Sequence, residues 1–141
     1  MGEILSHPIQ DVASHDPVTI DEGATLRGAA RQLWSANIGA AVVLRDDRPV
    51  GILSERDIVA HLAKGADPAT FTAGEAMTPQ FLIAEPTDRV LSAVIDMIDR
   101  GIRHLPLFDD AHRCVGMVSM RDLLRPMLID ALEAPVATRA P

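Results

Sequence analysis

Residues 50–59 read VGILSERDIV and residues 115–124 read VGMVSMRDLL. Val50/Val115, Gly51/Gly116, Ser54/Ser119, Arg56/Arg121 and Asp57/Asp122 are identical at an offset of 65. Four of the other five pairs exchange one apolar residue for another, and only Glu55/Met120 changes character. The fold turns on why the chain carries this stretch twice. The function turns on whether Ser-x-Arg-Asp is only the start of two helices or a binding site built twice.

Outward from these stretches the repeat continues. Residues 18–65 and 81–128 follow the same order, with an offset of 64 that becomes 65 after a one-residue longer Asp-Asp turn. Each copy opens with a short apolar strand, Val18–Ile20 in one and Phe81–Ala84 in the other. A helix follows, with Leu26, Ala29, Ala30, Leu33 and Trp34, or Val90, Ala93, Val94, Met97 and Ile98, recurring at three- and four-residue spacing. Two β-branched runs then flank Asp46-Asp47 or Asp109-Asp110, where turn chemistry accounts for the paired carboxylates. A second helix ends near Gly65 in the first copy and near Leu132 in the second. The pattern predicts an α/β (α+β) fold of tandem β-α-β-β-α repeats. The expected boundaries are 1–65 for repeat one with its N-terminal segment, 66–74 for a turn-rich linker, 75–132 for repeat two and 133–141 for a flexible tail. A repeat of this size buries too little surface to be comfortably stable alone, so the two are expected to share a core.

Of the 141 residues, 48% are hydrophobic but only 3% aromatic, so the interior is aliphatic. The formal charge of −7 argues against nucleic acid as a partner, because neutralising phosphates needs a basic surface. It argues equally against an anionic membrane surface. Cys114 is the single cysteine and suits a reducing compartment. No apolar run approaches a membrane span and MGEILSHPIQ lacks the marks of a secretory signal, so a cytoplasmic location is expected.

Serine at a strand end with an acid three residues on resembles a capping box, in which Ser54 accepts from the N–H of residue 57 and Asp57 reaches back. Three features point beyond a cap. Gly51 and Gly116 interrupt strand patterns, as happens where a ligand or another backbone comes close. Arg56 and Arg121 stand where the helix dipole disfavours a cation. The acid is aspartate both times, shorter than the Glu or Gln a capping box prefers. A helix start with a hydroxyl, open N–H groups and an arginine suits a phosphate, and a carboxylate accepting two hydrogen bonds suits a ribose diol.

The tandem order, together with GIRHLPLFDD, GILSERD and GMVSMRD, resembles a cystathionine-β-synthase-type (CBS) domain pair over about residues 10 to 130. The resemblance implies a pseudo-twofold pair with two clefts that take adenine nucleotides: AMP, ADP or ATP first, NAD(H) next. By matching positions it implies one cleft of Asp122, Ser119 and Arg121, with adenine against backbone near Val18, Ile20, Ile38 and Gly39. The other would hold Asp57, Ser54 and Arg56 with Thr78, Leu82, Ile102 and Arg103. Arg103 and His104 precede a strand where the first repeat has Gly39 and Ala40, so unequal affinities are expected.

Other signals are weaker. His112-x-Cys114 supplies at most half a zinc site. His7, His15 and His61 have no nucleophile or acid at a telling distance, and His61 reads as a surface residue. No catalytic cofactor and no enzyme activity are expected. Leu123, Leu124, Met127 and Leu128, with Ile58, Val59 and Leu62, form apolar stripes that suit a homodimer contact. The expected function is a regulatory adenine-nucleotide sensor acting on an unidentified protein target. The alternative is a scaffold or dimerisation module that binds no ligand.

Overall fold

The computed structural model describes residues 3–79 and 81–133, so residues 134–141 of the expected tail lie outside the described residues. It divides into two compact units of mixed helix and sheet. One is Asp16–Ile83; the other joins the described residues of Met1–His15 to those of Ala84–Pro141. They are called here the Asp57 unit and the Asp122 unit.

The chain begins with α1 (Glu3–Ser6) and a 3-10 turn at Ile9–Asp11, then enters the Asp57 unit with β1 (Thr19–Asp21) and α2 (Leu26–Ala36). Thr25 caps α2, its hydroxyl accepting from the Gly28 N–H at 3.1 Å, and Asn37 ends it in the left-handed region at φ 53°. The buried stripe is Leu26, Ala29 and Leu33; Trp34, expected beside them, is 87% exposed. One residue further on is about 100° around a helix, and a stripe that meets the sheet along one line leaves that position outside. Two strands follow, β2 (Ala40–Arg45) and β3 (Arg48–Ser54). Sheet order is β1-β2-β3, with β1 parallel and β3 antiparallel to β2. Asp46 and Asp47 have φ of 49° and 61°, the paired left-handed conformation of a tight hairpin turn.

After α3 (Glu55–Ala63), α4 (Ala73–Ala76) straddles the expected boundary at 74/75, taking in the last two residues of the expected linker. Thr72 and Glu75 form a capping box, a Thr-x-x-Glu signature that was present in the sequence. His61, expected at the surface, is half-buried with its ring 5.0 Å from that of Phe71. Beyond α4 the backbone turns back against β3: the Ile52 N–H donates to the Thr78 carbonyl at 3.0 Å and the Thr78 N–H to the Ile52 carbonyl at 2.9 Å. Gly51 makes this approach feasible, since a Cβ there would lie 2.5 Å from Met77 Sδ and 2.8 Å from the Thr78 carbonyl oxygen.

The Asp122 unit contains α5 (Val90–Arg100), β4 (His104–Phe108), β5 (Cys114–Ser119) and α6 (Met120–Glu133). The α5 stripe is Val90, Ala93 and Met97, with Ile98 at 64% exposure displaced as Trp34 is. The strand expected over Phe81–Ala84 shrinks to one parallel bridge, Ala84 to Leu107. Ala84 donates to the Pro106 carbonyl at 2.9 Å and accepts from the Phe108 N–H at 3.0 Å. The next rung would need an N–H at position 106, and proline has none. At the turn, Asp109 Oδ1 accepts from the N–H groups of Ala111 and Arg113, and the Arg113 N–H is the main reason its pKa is lowered.

The N-terminal segment, which the repeat boundaries attach to the first copy, packs in the Asp122 unit. Ile9 is fully buried; its N–H reaches the Asp88 carbonyl at 2.6 Å, and the Val90 N–H reaches the His7 carbonyl at 2.9 Å. Ser14 and Met117 exchange hydrogen bonds at 2.9 and 3.1 Å. A Cβ on Gly116 would lie 2.8 Å from the Ser14 carbonyl oxygen. Pro8–Arg89 and Ser14–Met117 thus repeat what Thr72–Thr25 and Thr78–Ile52 do in the Asp57 unit. The apolar stripes on the last helices split: Leu123 and Ile58 are buried, while Leu124, Leu128, Val59 and Leu62 are exposed.

Gly51→Ala and Gly116→Ala are each expected to lower stability by about 1–3 kcal/mol, because the added methyl overpacks a backbone contact. An unchanged urea midpoint in either variant would contradict the close approach. Pro126 lies inside α6 and cannot donate to the carbonyl of Asp122. Pro126→Ala is therefore expected to raise the midpoint, by up to about 3 kcal/mol of stability; no gain on urea denaturation would contradict that reading.

Candidate functional site

Both Ser-x-Arg-Asp stretches sit where an antiparallel strand hands over to a helix, and both are reciprocal caps. The Asp57 N–H donates to Ser54 Oγ at 3.1 Å, and Asp57 Oδ2 accepts from the Ser54 N–H at 2.9 Å. The Ser54 hydroxyl also donates to Asp57 Oδ2, at 3.0 Å. In the other unit the Asp122 N–H donates to Ser119 Oγ at 3.0 Å and Asp122 Oδ2 accepts from the Ser119 N–H at 3.1 Å. Each aspartate uses Oδ2 for the cap, which leaves Oδ1 as an acceptor for a second partner. Aspartate suffices where the capping box prefers Glu because the short side chain closes the same loop within hydrogen-bond length.

The two glycines have a structural explanation. Of the two partners that could come close, a ligand or another backbone, it is a backbone segment that fills the space over Gly51 and Gly116. This does not remove the arginines from question: Arg56 and Arg121 are both exposed beside their caps.

Within the Asp57 unit the structure brings Ser54, Arg56 and Asp57 together on one turn, with Thr78 bridging the adjoining strand at Ile52. Gly39 lies here too, its carbonyl accepting from the Glu55 N–H at 2.9 Å. Val18, Ile38 and Leu82 are half-buried members of the same unit, whereas the Ile20 side chain is fully buried and offers only its backbone, on edge strand β1. Within the Asp122 unit, Ser119, Arg121 and Asp122 share the corresponding turn. The Arg103 carbonyl accepts from the Met120 N–H at 2.8 Å, and His104 stands opposite Ser119 in the β4–β5 ladder. Ile102 precedes them, half-buried. Arg103 and His104 border one helix start, while Gly39 and Ala40 border the other.

An open pocket of about 460 Å³ lies in the Asp122 unit. Val12, Ala13 and Ser14 form one side, and Arg121, Asp122, Arg125 and Pro126 of α6 form the other. Sequence reading missed Ser14 and Arg125. Ser14 had a signal, since it stands 64 residues before Thr78, but Arg125 had none because the repeat carries Ala60 there. Among the described residues, no group of three or more His, Cys, Asp or Glu could hold a metal ion, and no helix is long and apolar enough to cross a membrane.

Comparison with known proteins agrees with this geometry. The family model described as CBS domain matches residues 9–64 and 73–128. An uncharacterized protein of Methanopyrus kandleri is 33% identical over 129 residues, which cover 89% of this chain and 66% of that protein. The CBS domain protein PAE2072 from Pyrobaculum aerophilum, solved in complex with AMP, is 31% identical with a TM-score of 0.78, covering 90% of this chain and 99% of that one. The CBS domain pair of protein MJ0100, solved with 5′-methylthioadenosine and S-adenosyl-L-methionine, is 28% identical with a TM-score of 0.79, covering 85% and 98%. Matched through both of its repeats, this chain belongs to the CBS domain family.

Proposed function

We propose that this chain is a regulatory module that binds an adenosine-bearing ligand at its Ser-x-Arg-Asp helix starts and performs no chemistry itself. The observation that carries the proposal is what its solved relatives hold: AMP in one, 5′-methylthioadenosine and S-adenosyl-L-methionine in the other. Adenosine is the part these ligands share. A ribose diol needs an acceptor that takes two hydroxyl protons, and Asp57 or Asp122 offers Oδ1 while Oδ2 keeps the helix capped.

The contacts follow the same assignment. Asp122, Ser119, Arg121 and His104 serve ribose and phosphate at one helix start. Asp57, Ser54 and Arg56 do so at the other, with Thr78 and Leu82 of the same unit. AMP, ADP or ATP is the first choice and NAD(H) the second. Binding acts through differential affinity for two states of the module or of a protein target in the cytoplasm.

A thermal-shift panel of AMP, ADP, ATP, NAD, NADH and S-adenosylmethionine tests this. At a hundredfold excess over Kd, a ligand adds about 2.7 kcal/mol of stability. The expected result is a rise in Tm with at least one compound that is lost in Asp122→Ala or Asp57→Ala. No shift with any compound would leave Ser-x-Arg-Asp as a cap alone.

The scaffold reading rests on Leu124 and Leu128, 54% and 61% exposed, and on Val59 and Leu62 at 64% and 44%. Val59 and Leu124 occupy the same place in the two copies, so both last helices present an apolar ridge that a second copy of the chain can cover. Sedimentation equilibrium is expected to give twice the chain mass for wild type and the single chain mass for the Leu124→Glu, Leu128→Glu double variant. A monomeric wild type at tens of micromolar (on the order of common interface affinities) would refute this contact.

A further inference from the structure

We infer that Arg125, acting with Arg121, makes the Asp122 pocket select a phosphorylated adenosine ligand over an uncharged one; this rests on the adenosine reading above. The pocket wall is one face of α6, where Arg121 and Arg125 stand one turn apart beside Asp122. Like charges four residues apart on a helix repel, and Arg121 lies in the first turn, where the dipole already disfavours a cation. Among the described residues neither guanidinium takes part in a hydrogen bond or ion pair. Asp122 does not neutralise them both, since it brings one negative charge against their two and its Oδ2 also serves the cap.

A dianionic phosphate between the two guanidiniums removes the repulsion and matches their fork-like donors. Ser14, on the segment that Gly116 admits, lines the same pocket. The Asp57 unit lacks this pair, having Arg56 but Ala60 at the matching positions. Of the ligands held by its solved relatives, AMP brings the phosphate that this pocket calls for, whereas 5′-methylthioadenosine ends in an uncharged thioether. Arg125 is thus a specificity-determining residue that the repeat pattern does not contain.

Calorimetric titration of AMP and 5′-methylthioadenosine into wild type, Arg125→Ala and Arg125→Lys is the test. Wild type is expected to bind AMP about ten- to a hundredfold more tightly than 5′-methylthioadenosine, the range of one or two charge-assisted contacts. Arg125→Ala should lose most of that preference while its affinity for 5′-methylthioadenosine stays within about twofold of wild type. Arg125→Lys should keep part of it, because an ammonium supplies the charge without the bidentate fork. Raising the salt concentration should weaken AMP binding and leave 5′-methylthioadenosine binding nearly unchanged. Equal affinity for the two ligands, or an Arg125→Ala variant with wild-type AMP preference, overturns the inference and leaves the adenosine reading intact. Binding of neither ligand overturns both.

Discussion

A backbone lying against a glycine organises each unit. Thr78 over Ile52 and Ser14 over Met117 are paired main chain to main chain, and the adjacent Gly51 and Gly116 leave no room for even a methyl group. Each contact fixes a second segment beside the strand that leads into a Ser-x-Arg-Asp helix start. Without it the Val12–Ser14 segment would have no reason to face Arg121 and Asp122, and the pocket there would have one side. A residue chosen for what it lacks therefore sets the position of the residues that carry charge.

The cap and the proposed ligand share a serine and an aspartate at each helix start without conflict. The cap consumes one oxygen of each aspartate and one lone pair of each serine. What remains of each aspartate, its second carboxylate oxygen, is held in a fixed orientation because the cap has already restricted the rotamer. That pre-organisation lowers the entropy a ligand must overcome on binding. It also means that loss of either aspartate weakens a helix start along with any site it serves, so stability and binding have to be measured separately in such variants.

Much of the fold was legible in the sequence because the repeat doubles every signal. Helices α2 and α5 announced themselves through matched apolar spacing, and the hairpins through paired β-branched runs about Asp-Asp turns. What was misread has specific causes. Trp34 and Ile98 extend an apolar pattern past the width of the surface that receives it, and only the packed sheet shows where that surface ends. The missing strand before α5 depends on Pro106, far along the chain, whose lack of an N–H is a local fact with a distant effect. The N-terminal segment was assigned by adjacency, although Ile9 and Ser14 find their partners at Asp88 and Met117. At the candidate site the caps and their arginines could be read directly. Arg125 could not, since a search for what two copies share passes over what one copy has gained.

The bridges also impose an order on synthesis. The Asp57 unit is one continuous stretch, so all its hydrogen-bonding partners leave the ribosome together and it can close early. The Asp122 unit is interrupted by it: His7, Ile9 and Ser14 emerge first but must wait until Asp88, Val90 and Met117 are made. Contacts so distant along the chain form slowly, because the loop must close before they repay its entropy. A nascent chain therefore carries the apolar Ile9 uncovered through the making of the whole intervening unit, the interval in which a chaperone has most to protect.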